Sequence, residues 1–272
     1  MCGAEKPPRL SVIMGVYNIE ALAVFQNAMS SVLSQSMADF ELIMCDDGST
    51  DRTWLLLQSL AERDERIRLL KNQSNLGLAA TLNRCLACAR GELIARQDAD
   101  DISDMNRFQK QIAFLDEHPE IGFVGSNVTL WDETGTWGER VFPGYPQQRD
   151  FLFTQPFVHG ALMFRRSALE AVHGYRVAKE TRRTEDYDML MRMYAAGIRG
   201  ANLTEKLYAF LEDREAQKRR RYCYRVDEAK VRLKGFKRMG LLPGALPYVV
   251  KPLVVGLIPG DVLRWIKQFR RF

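Results

Sequence analysis

Cysteine is scarce and unpatterned in this chain. Cys2, Cys45, Cys85, Cys88 and Cys223 are an odd number, widely scattered over 272 residues. That excludes a disulfide framework and makes a reducing cytosol the expected setting. Cys85 and Cys88 have C-x-x-C spacing, but they lie in a helical pattern. No second Cys or His pair stands at zinc-ligand spacing, so they read as helix-packing residues. There is no G-x-G-x-x-G and no P-loop, which removes the phosphate cradle of a dinucleotide dehydrogenase or an NTPase. Neither an internal repeat nor a low-complexity segment is present. The apolar run needed to span a membrane, about 20 residues, is also missing: Leu253 to Ile258 lies between two prolines. The opening MCGAEKPPRL has no apolar run before the first strand pattern and no Met-Gly start, so neither a signal peptide nor a myristoyl anchor is expected. The sequons NVT and NLT carry no meaning in a cytosolic chain.

What is present is ordinary globular composition, 46% hydrophobic and 27% charged, with a net charge of +5. The charge is unevenly distributed. From Arg214 to Phe272 there are 16 Lys/Arg against 4 Asp/Glu, whereas residues 1 to 213 carry 23 basic and 30 acidic residues. A cationic tail on an acidic body points to an anionic partner, either a membrane surface or a nucleic acid. The only clear shift in composition falls near residue 214.

The first half alternates short apolar strands with helical patterns. Strands are expected at 10–18, at 40–51 where the strand runs into a polar turn, and at 67–72, 92–98 and 121–132. Helices are expected at 21–35, 53–64 with Asp51 as N-cap, 77–91 closed by Gly91, and 105–119 stopped by Pro119. Continuous apolar strands separated by helices imply βαβ units and a mostly parallel sheet. In the second half, 158–175 reads as a strand and a short helix that Ser167 caps. A helix follows at 184–197, starting at Thr184 and ending at Gly197, then a strand at 207–213 and a basic helical stretch at 214–240.

Ligands of such sheets bind beyond the carboxyl ends of the strands. The polar motifs VYN, DDGSTD and QDADD all stand there, so three strands would deliver them to one rim. In QDADD, Asp98 and Asp100 are two apart and share one side of an extended segment. Two such carboxylates suit Mg²⁺ or Mn²⁺, with water and a diphosphate completing the shell. The alternative is a solvated turn in which Asp101 and Ser103 cap the next helix. An EF-hand is excluded, since Ser103 and Gln109 stand where Gly and Glu are required. In CDDGSTD, Asp46 or Asp47 would accept a pyrimidine N–H or bond ribose; Asp-Gly is equally a turn dipeptide whose followers cap a helix. In TRRTEDYDM, Glu185 and Asp186 open a helix, where the dipole favours anions. One of them is a candidate general base. Arg182 and Arg183 are candidate phosphate contacts or a solvated loop.

VIMGVYN, ELIMCDDGSTD, NLGLAATLNRCLACARGE, IARQDADD and TEDYDMLMR together resemble the family 2 inverting glycosyltransferases, in order and in spacing. The resemblance covers residues from about 9 to 213 and is greatest to bacterial enzymes that assemble capsule, exopolysaccharide or O-antigen. It implies an α/β GT-A fold, Rossmann-like, with a mostly parallel sheet flanked by helices over 1–213, and a basic helical extension over 214–272. It also implies a nucleoside-diphosphate-sugar donor, UDP before GDP or dTDP, and a saccharide acceptor on a polyprenyl diphosphate. Val16 and Tyr17 would line the nucleobase pocket, and Asp47 or Asp46 would bond the uracil or ribose. Asp98 would meet the ribose, with Asp100 holding the divalent cation alongside it. Asp186 would be the base, with Glu185 orienting it or the acceptor, and His159 an acceptor- or sugar-site residue. A single displacement would invert the anomeric centre, with no nucleophilic Ser or Cys. A nucleotidyltransferase is the rival enzyme reading, but GVYNIEAL is no basic phosphate loop. A non-catalytic nucleotide-sugar-binding scaffold at the membrane is the third.

In the tail, apolar runs broken by Pro247, Pro252 and Pro259 accompany KRRRYCYR, with Trp265 and Phe269 near the end. This pattern suits an anionic membrane surface at the cytoplasmic face better than nucleic acid, for which no recognised module is present. An ordinary helix packed on the catalytic domain is the alternative.

Overall fold

A computed structural model describes residues 6–212 and 222–257. The described residues fall into two compact units. The first comprises the chain up to Pro146 with Pro156–Tyr175 and Ile198–Glu212; the second comprises Gln147–Gln155, Arg176–Gly197 and the chain beyond Glu212.

The first unit is built on one sheet. Its opening strands, β1 (Leu10–Val16), β2 (Phe40–Asp46), β3 (Ile67–Lys71) and β4 (Leu93–Arg96), alternate with α1 (Leu22–Leu33), α2 (Thr53–Ala61) and α3 (Leu78–Cys88). The sheet continues through β5 (Ile102–Ser103), α4 (Arg107–Glu117), β6 (Ile121–Asp132), β7 (Gly135–Arg140), β8 (Met163–Arg165), α5 (Arg166–Ala171) and β9 (Arg199–Leu211). The strand order is β3-β2-β1-β4-β8-β6-β9-β5, with β7 on β6. β1 pairs in parallel with β2 and β4, β2 with β3, and β6 with β9; β8, β5 and β7 pair antiparallel. The fold is thus α/β with a mostly parallel sheet flanked by helices.

Helices cover both faces of the sheet, so β1 and β2 are apolar almost throughout. Leu10, Val12 and Met14 of β1 and Leu42 and Met44 of β2 are completely buried, packed with Phe25 and Met29 of α1 and Leu57 of α2. Each fully buried side chain of this size contributes roughly 1.5–3 kcal/mol.

Several local expectations need correction. Helix α2 starts at Thr53, with Arg52 at the cap position, although the Asp51 carboxylate does accept the Thr53 N–H at 2.9 Å. Helix α3 ends at Cys88; Gly91 instead lets β1 approach, since a Cβ there would lie 2.6 Å from Ser11 N. Asp101 and Ser103 do not cap α4, whose cap position is Asn106. Ser167 lies inside α5, which begins at Arg166. β6 matches the strand expected at 121–132, whereas β7 and the early part of β9 replace what reads as irregular chain.

In the second unit, α6 (Glu185–Ala195), α7 (Tyr222–Arg238) and α8 (Leu246–Leu257) pack with 3₁₀ turns at Gln148–Leu152 and Lys179–Thr181. Thr184 occupies the α6 cap position, and Gly197, with φ +83°, follows its end. No helix among the described residues is long and apolar enough to cross a membrane. Residues 218–221 of KRRRYCYR, and Trp265 and Phe269, lie outside the described residues.

Candidate active site

In the first unit, three neighbouring parallel strands end together. Val16 is in register with Asp46, and Asp47 N donates to Val16 O at 2.8 Å. Beyond β4, Gln97 N donates to Ile13 O at 3.2 Å, which carries Asp98 past the β1 edge. VYN, DDGSTD and QDADD therefore do share one rim of the sheet.

A cavity of about 270 Å³ opens at that rim. Gly15, Val16, Tyr17, Asp47, Asn75, Gly77, Leu78 and Thr81 line it. Val16 is buried, whereas Tyr17 is half exposed. The size suits one small ring system rather than a drug-sized ligand, which takes about 300–1,000 Å³.

The two adjacent aspartates have different duties. Asp47 accepts from Asn72 Nδ2 at 2.7 Å, Leu76 N at 2.8 Å and Gly77 N at 2.9 Å, so it fastens the 72–77 loop to the end of β2. Gly48 permits this closeness. Its φ is +72°, and a Cβ would lie 2.6 Å from Ser74 Cα. Asp46 is completely buried; Oδ1 accepts from Ser49 N at 3.0 Å, while Oδ2 has no partner. An unpartnered buried carboxylate oxygen costs roughly 1–3 kcal/mol or more, which a ligand donor would recover.

The QDADD turn is held from beneath. Arg96, fully buried, pairs with Asp98 Oδ1. Asp98 N donates to Tyr208 Oη at 3.2 Å. Asp101 Oδ1 accepts from Leu211 N at 2.6 Å, tying the turn to β9. Arg107, also fully buried, donates to Gln97 Oε1 at 3.0 Å, Ser103 Oγ at 2.9 Å and Arg96 O at 2.8 Å. Ser103 in turn donates to Gln97 Oε1 at 2.7 Å. Asp100 retains solvent contact, yet desolvation by the surrounding protein, then repulsion from Asp98, raises its pKa to about 6. Burial, then Asp98 and Asp100, pushes Asp101 well above the usual carboxylate range.

This turn fits a divalent cation. Asp98 and Asp100 are hard oxygen donors, and their mutual repulsion is what a cation relieves. No group of three His, Cys, Asp or Glu side chains suited to a metal occurs among the described residues. With two carboxylates from this turn, the remaining positions would fall to water and phosphate, as suits Mg²⁺ or Mn²⁺.

His159 stands in a 3₁₀ turn below Asp98. Its Nε2 is 2.7 Å from Tyr175 Oη. Burial, then the charge of Arg96, holds its pKa well below the ordinary value, so the ring is neutral. Gly160 touches the site too: a Cβ there would lie 2.8 Å from Asp98 Oδ2.

In the second unit, Glu185 and Asp186 open α6. Asp186 Oδ2 accepts from Gln155 Nε2 at 2.9 Å, and Oδ1 from Tyr187 N at 2.7 Å. Glu185 Oε2 is buried without a partner. Burial, then Asp186, raises the Glu185 pKa to about 7. The third acid of the motif, Asp188, is structural: buried, it pairs with Arg176 at 2.9 Å and Arg192 at 2.8 Å. Arg182 is exposed; Arg183, with φ +64°, stacks over Tyr224 at 5.0 Å. Sequence reasoning missed Asn75, Gly77 and Thr81, although they belong to the NLGLAATLN motif. It also missed Arg96, which lies inside IARQDADD, and Gln155 and Arg107, for which no motif gives a signal.

A sheet of this topology with acidic turns at its rim defines the GT-A class of glycosyltransferase fold. The profile of Glycosyl transferase family 2 matches residues 11–172, and that of Glycosyl transferase family group 2 matches residues 93–269. EpsE of Bacillus subtilis, named as a glycosyltransferase, is 42% identical over 257 residues, covering 94% of this chain and 92% of its own. The amylovoran biosynthesis glycosyltransferase AmsE of Erwinia amylovora is 26% identical over 95% of this chain and 97% of its own. Among solved structures, S. aureus TarS 1–349 with UDP-GlcNAc superposes with a TM-score of 0.66 at 18% identity, covering 89% of this chain and 73% of that one. The mannosyltransferase PcManGT of Pyrobaculum calidifontis, with GDP-Man and Mn²⁺, gives 0.61 at 20% identity, covering 98% and 81%. The chain belongs to glycosyltransferase family 2.

Proposed function

We propose that this glycosyltransferase is inverting and metal-dependent. It moves a sugar from a nucleoside-diphosphate sugar, a UDP-sugar, to a hydroxyl of a polyprenyl-diphosphate-linked saccharide. The setting is capsule, exopolysaccharide or O-antigen assembly at the cytoplasmic face of the bacterial membrane, the protein lying peripherally on its anionic surface. Residues 1–213 carry the transfer chemistry, and 214–272 form the basic extension. The observation that carries the reading is the acidic rim of the first unit, where a ring-sized cavity lined by Val16, Tyr17 and Asp47 opens at the strand ends that also carry Asp46, whose Oδ2 has no partner, and the Asp98–Asp100 turn. The names of EpsE and AmsE support the reaction class, and AmsE supports the polysaccharide setting. The ligands of TarS and PcManGT support a nucleotide-sugar donor, and those of PcManGT a divalent cation.

In this mechanism Val16 and Tyr17 hold the nucleobase. Asp46 accepts a donor from the base or ribose, while Asp47 keeps the 72–77 loop in place. Asp98 meets the ribose, and Asp98 and Asp100 hold the divalent cation. A bound cation supplies the positive charge that offsets the departing diphosphate. Asp186, oriented by Gln155, takes the proton of the acceptor hydroxyl as that oxygen attacks the anomeric carbon. Glu185 beside it orients Asp186 or the acceptor. His159, neutral, is placed to accept or donate one hydrogen bond near the sugar, and Arg182 and Arg183 are available to phosphate.

A panel of UDP-, GDP- and dTDP-sugars, each with and without Mn²⁺, tests the reading by thermal stabilisation and donor hydrolysis. A response to one donor that needs Mn²⁺ and disappears in Asp100→Asn is expected. No response to any donor, with or without metal, would contradict it.

A further inference from the structure

Helix α8 has two unlike faces. Ala245, just before it, and Val249 and Pro252 within it are buried in the second unit. Leu246, Val250, Val254 and Leu257 are 46%, 47%, 53% and 73% exposed. At about 100° per residue these four fall within an arc of about 80°, a continuous aliphatic stripe along the outer side. Lys251 flanks the stripe; its Nζ donates to Phe153 O at 3.1 Å, which pins the helix to the 147–155 segment. Phe153 is itself 58% exposed and packs edge-on against Tyr248, widening the apolar surface. Twelve residues make about 18 Å of helix, well short of the roughly 30 Å of a bilayer core. The stripe therefore suits lying along an interface, not crossing it.

Charge indicates what covers it. The preceding helix exposes Lys230, Lys234, Lys237 and Arg238, of which Lys230 pairs with Asp227 and Lys234 with Glu180. Beyond residue 213 the sequence carries 16 basic residues against 4 acidic ones, while the rest of the chain is acidic overall. An aliphatic stripe in the strongly cationic part of the chain matches lipid acyl chains beneath anionic head groups.

We propose that the outer face of α8 is the surface by which this protein beds into an anionic lipid bilayer. Leu246, Val250, Val254 and Leu257 enter the acyl boundary, and the net positive charge of the chain beyond residue 213 favours anionic head groups. The proposal deepens the membrane-surface part of the function above and rests on it; donor binding is independent of it.

The test is co-sedimentation of the full chain with vesicles of mixed phosphatidylglycerol and phosphatidylcholine, and with phosphatidylcholine alone. Wild type is expected to partition onto the anionic vesicles and only weakly onto the neutral ones. The double variant Val250→Asp/Val254→Asp is expected to lose at least tenfold in partitioning while its thermal stabilisation by nucleotide sugar and Mn²⁺ is unchanged. If that variant does not fold, Leu257→Asp, at the most exposed of the four, takes its place. Anionic-vesicle binding equal to wild type in the folded variant would overturn the assignment of this face. So would equal wild-type binding to neutral vesicles, or wild type that ignores vesicles and self-associates through the stripe. Loss of donor stabilisation in wild type would instead count against the transferase reading.

Discussion

Gln155 Nε2 donates to Asp186 Oδ2 across 2.9 Å, joining a loop of the second unit to the first turn of α6. The carboxylate is thus oriented, with its other oxygen on the Tyr187 N–H. Its neighbour Glu185 is in the opposite situation, with a buried oxygen that nothing satisfies. One acid of the pair accepts two hydrogen bonds and the other is disfavoured as an anion, a division seen where two carboxyls serve different roles.

Glu185 makes stability depend on pH. Its folded pKa of about 7 stands above the ordinary 4.5, through burial and then Asp186. Between those values the folded state binds the extra proton, so stability is fullest below pH 4.5 and falls as pH rises through 7. The displacement corresponds to about 3 kcal/mol at most, less what partial solvent access screens. Glu185→Gln is expected to raise the melting temperature relative to wild type at pH 8 and much less at pH 5. An equal shift at both pH values would show that Glu185 does not titrate in this range.

The adjacent aspartates separate stability from binding. Asp47→Asn sets an amide where three donors converge, so a loss of about 1–3 kcal/mol in stability is expected. Asp46→Asn leaves the 72–77 loop untouched and is expected to cost little stability but at least tenfold in nucleotide-sugar affinity. Denaturant unfolding and titration calorimetry on the two variants check this; the reverse pattern would exchange the roles.

Gly160 is fixed by contact, not by backbone angle. A Cβ there would lie 2.7 Å from Tyr208 Cζ and 2.8 Å from Asp98 Oδ2. Gly160→Ala is expected to cost about 1–3 kcal/mol by overpacking and to weaken Mn²⁺-dependent donor binding, because Asp98 must move. Unchanged unfolding and binding would show that the turn yields freely.

Periodicity and strand-end chemistry made the parallel core legible, because β1, β2 and β4 are mostly apolar and each ends in a polar motif. β7 was not legible: GTWGER has little buried surface, so it carries no alternating signal, and its turn depends on Gly135 at φ +112°. The early part of β9, RGANLTEK, mixes small and charged residues that only its pairing with β6 explains. At the site, the acids were visible as motifs, but their duties were not. That Asp47 serves the 72–77 loop, that Asp188 is a structural ion-pair acid, and that Arg96 and Arg107 lie fully buried under QDADD depend on how the folded chain packs around them.

The central claim is that Asp186 takes the proton of the acceptor hydroxyl, and Asp186→Asn tests it most directly. Donor stabilisation by the nucleotide sugar with Mn²⁺ should match wild type, while the transfer rate to acceptor falls by roughly 10²-fold or more. Transfer at the wild-type rate in a folded, donor-binding Asp186→Asn would contradict the account.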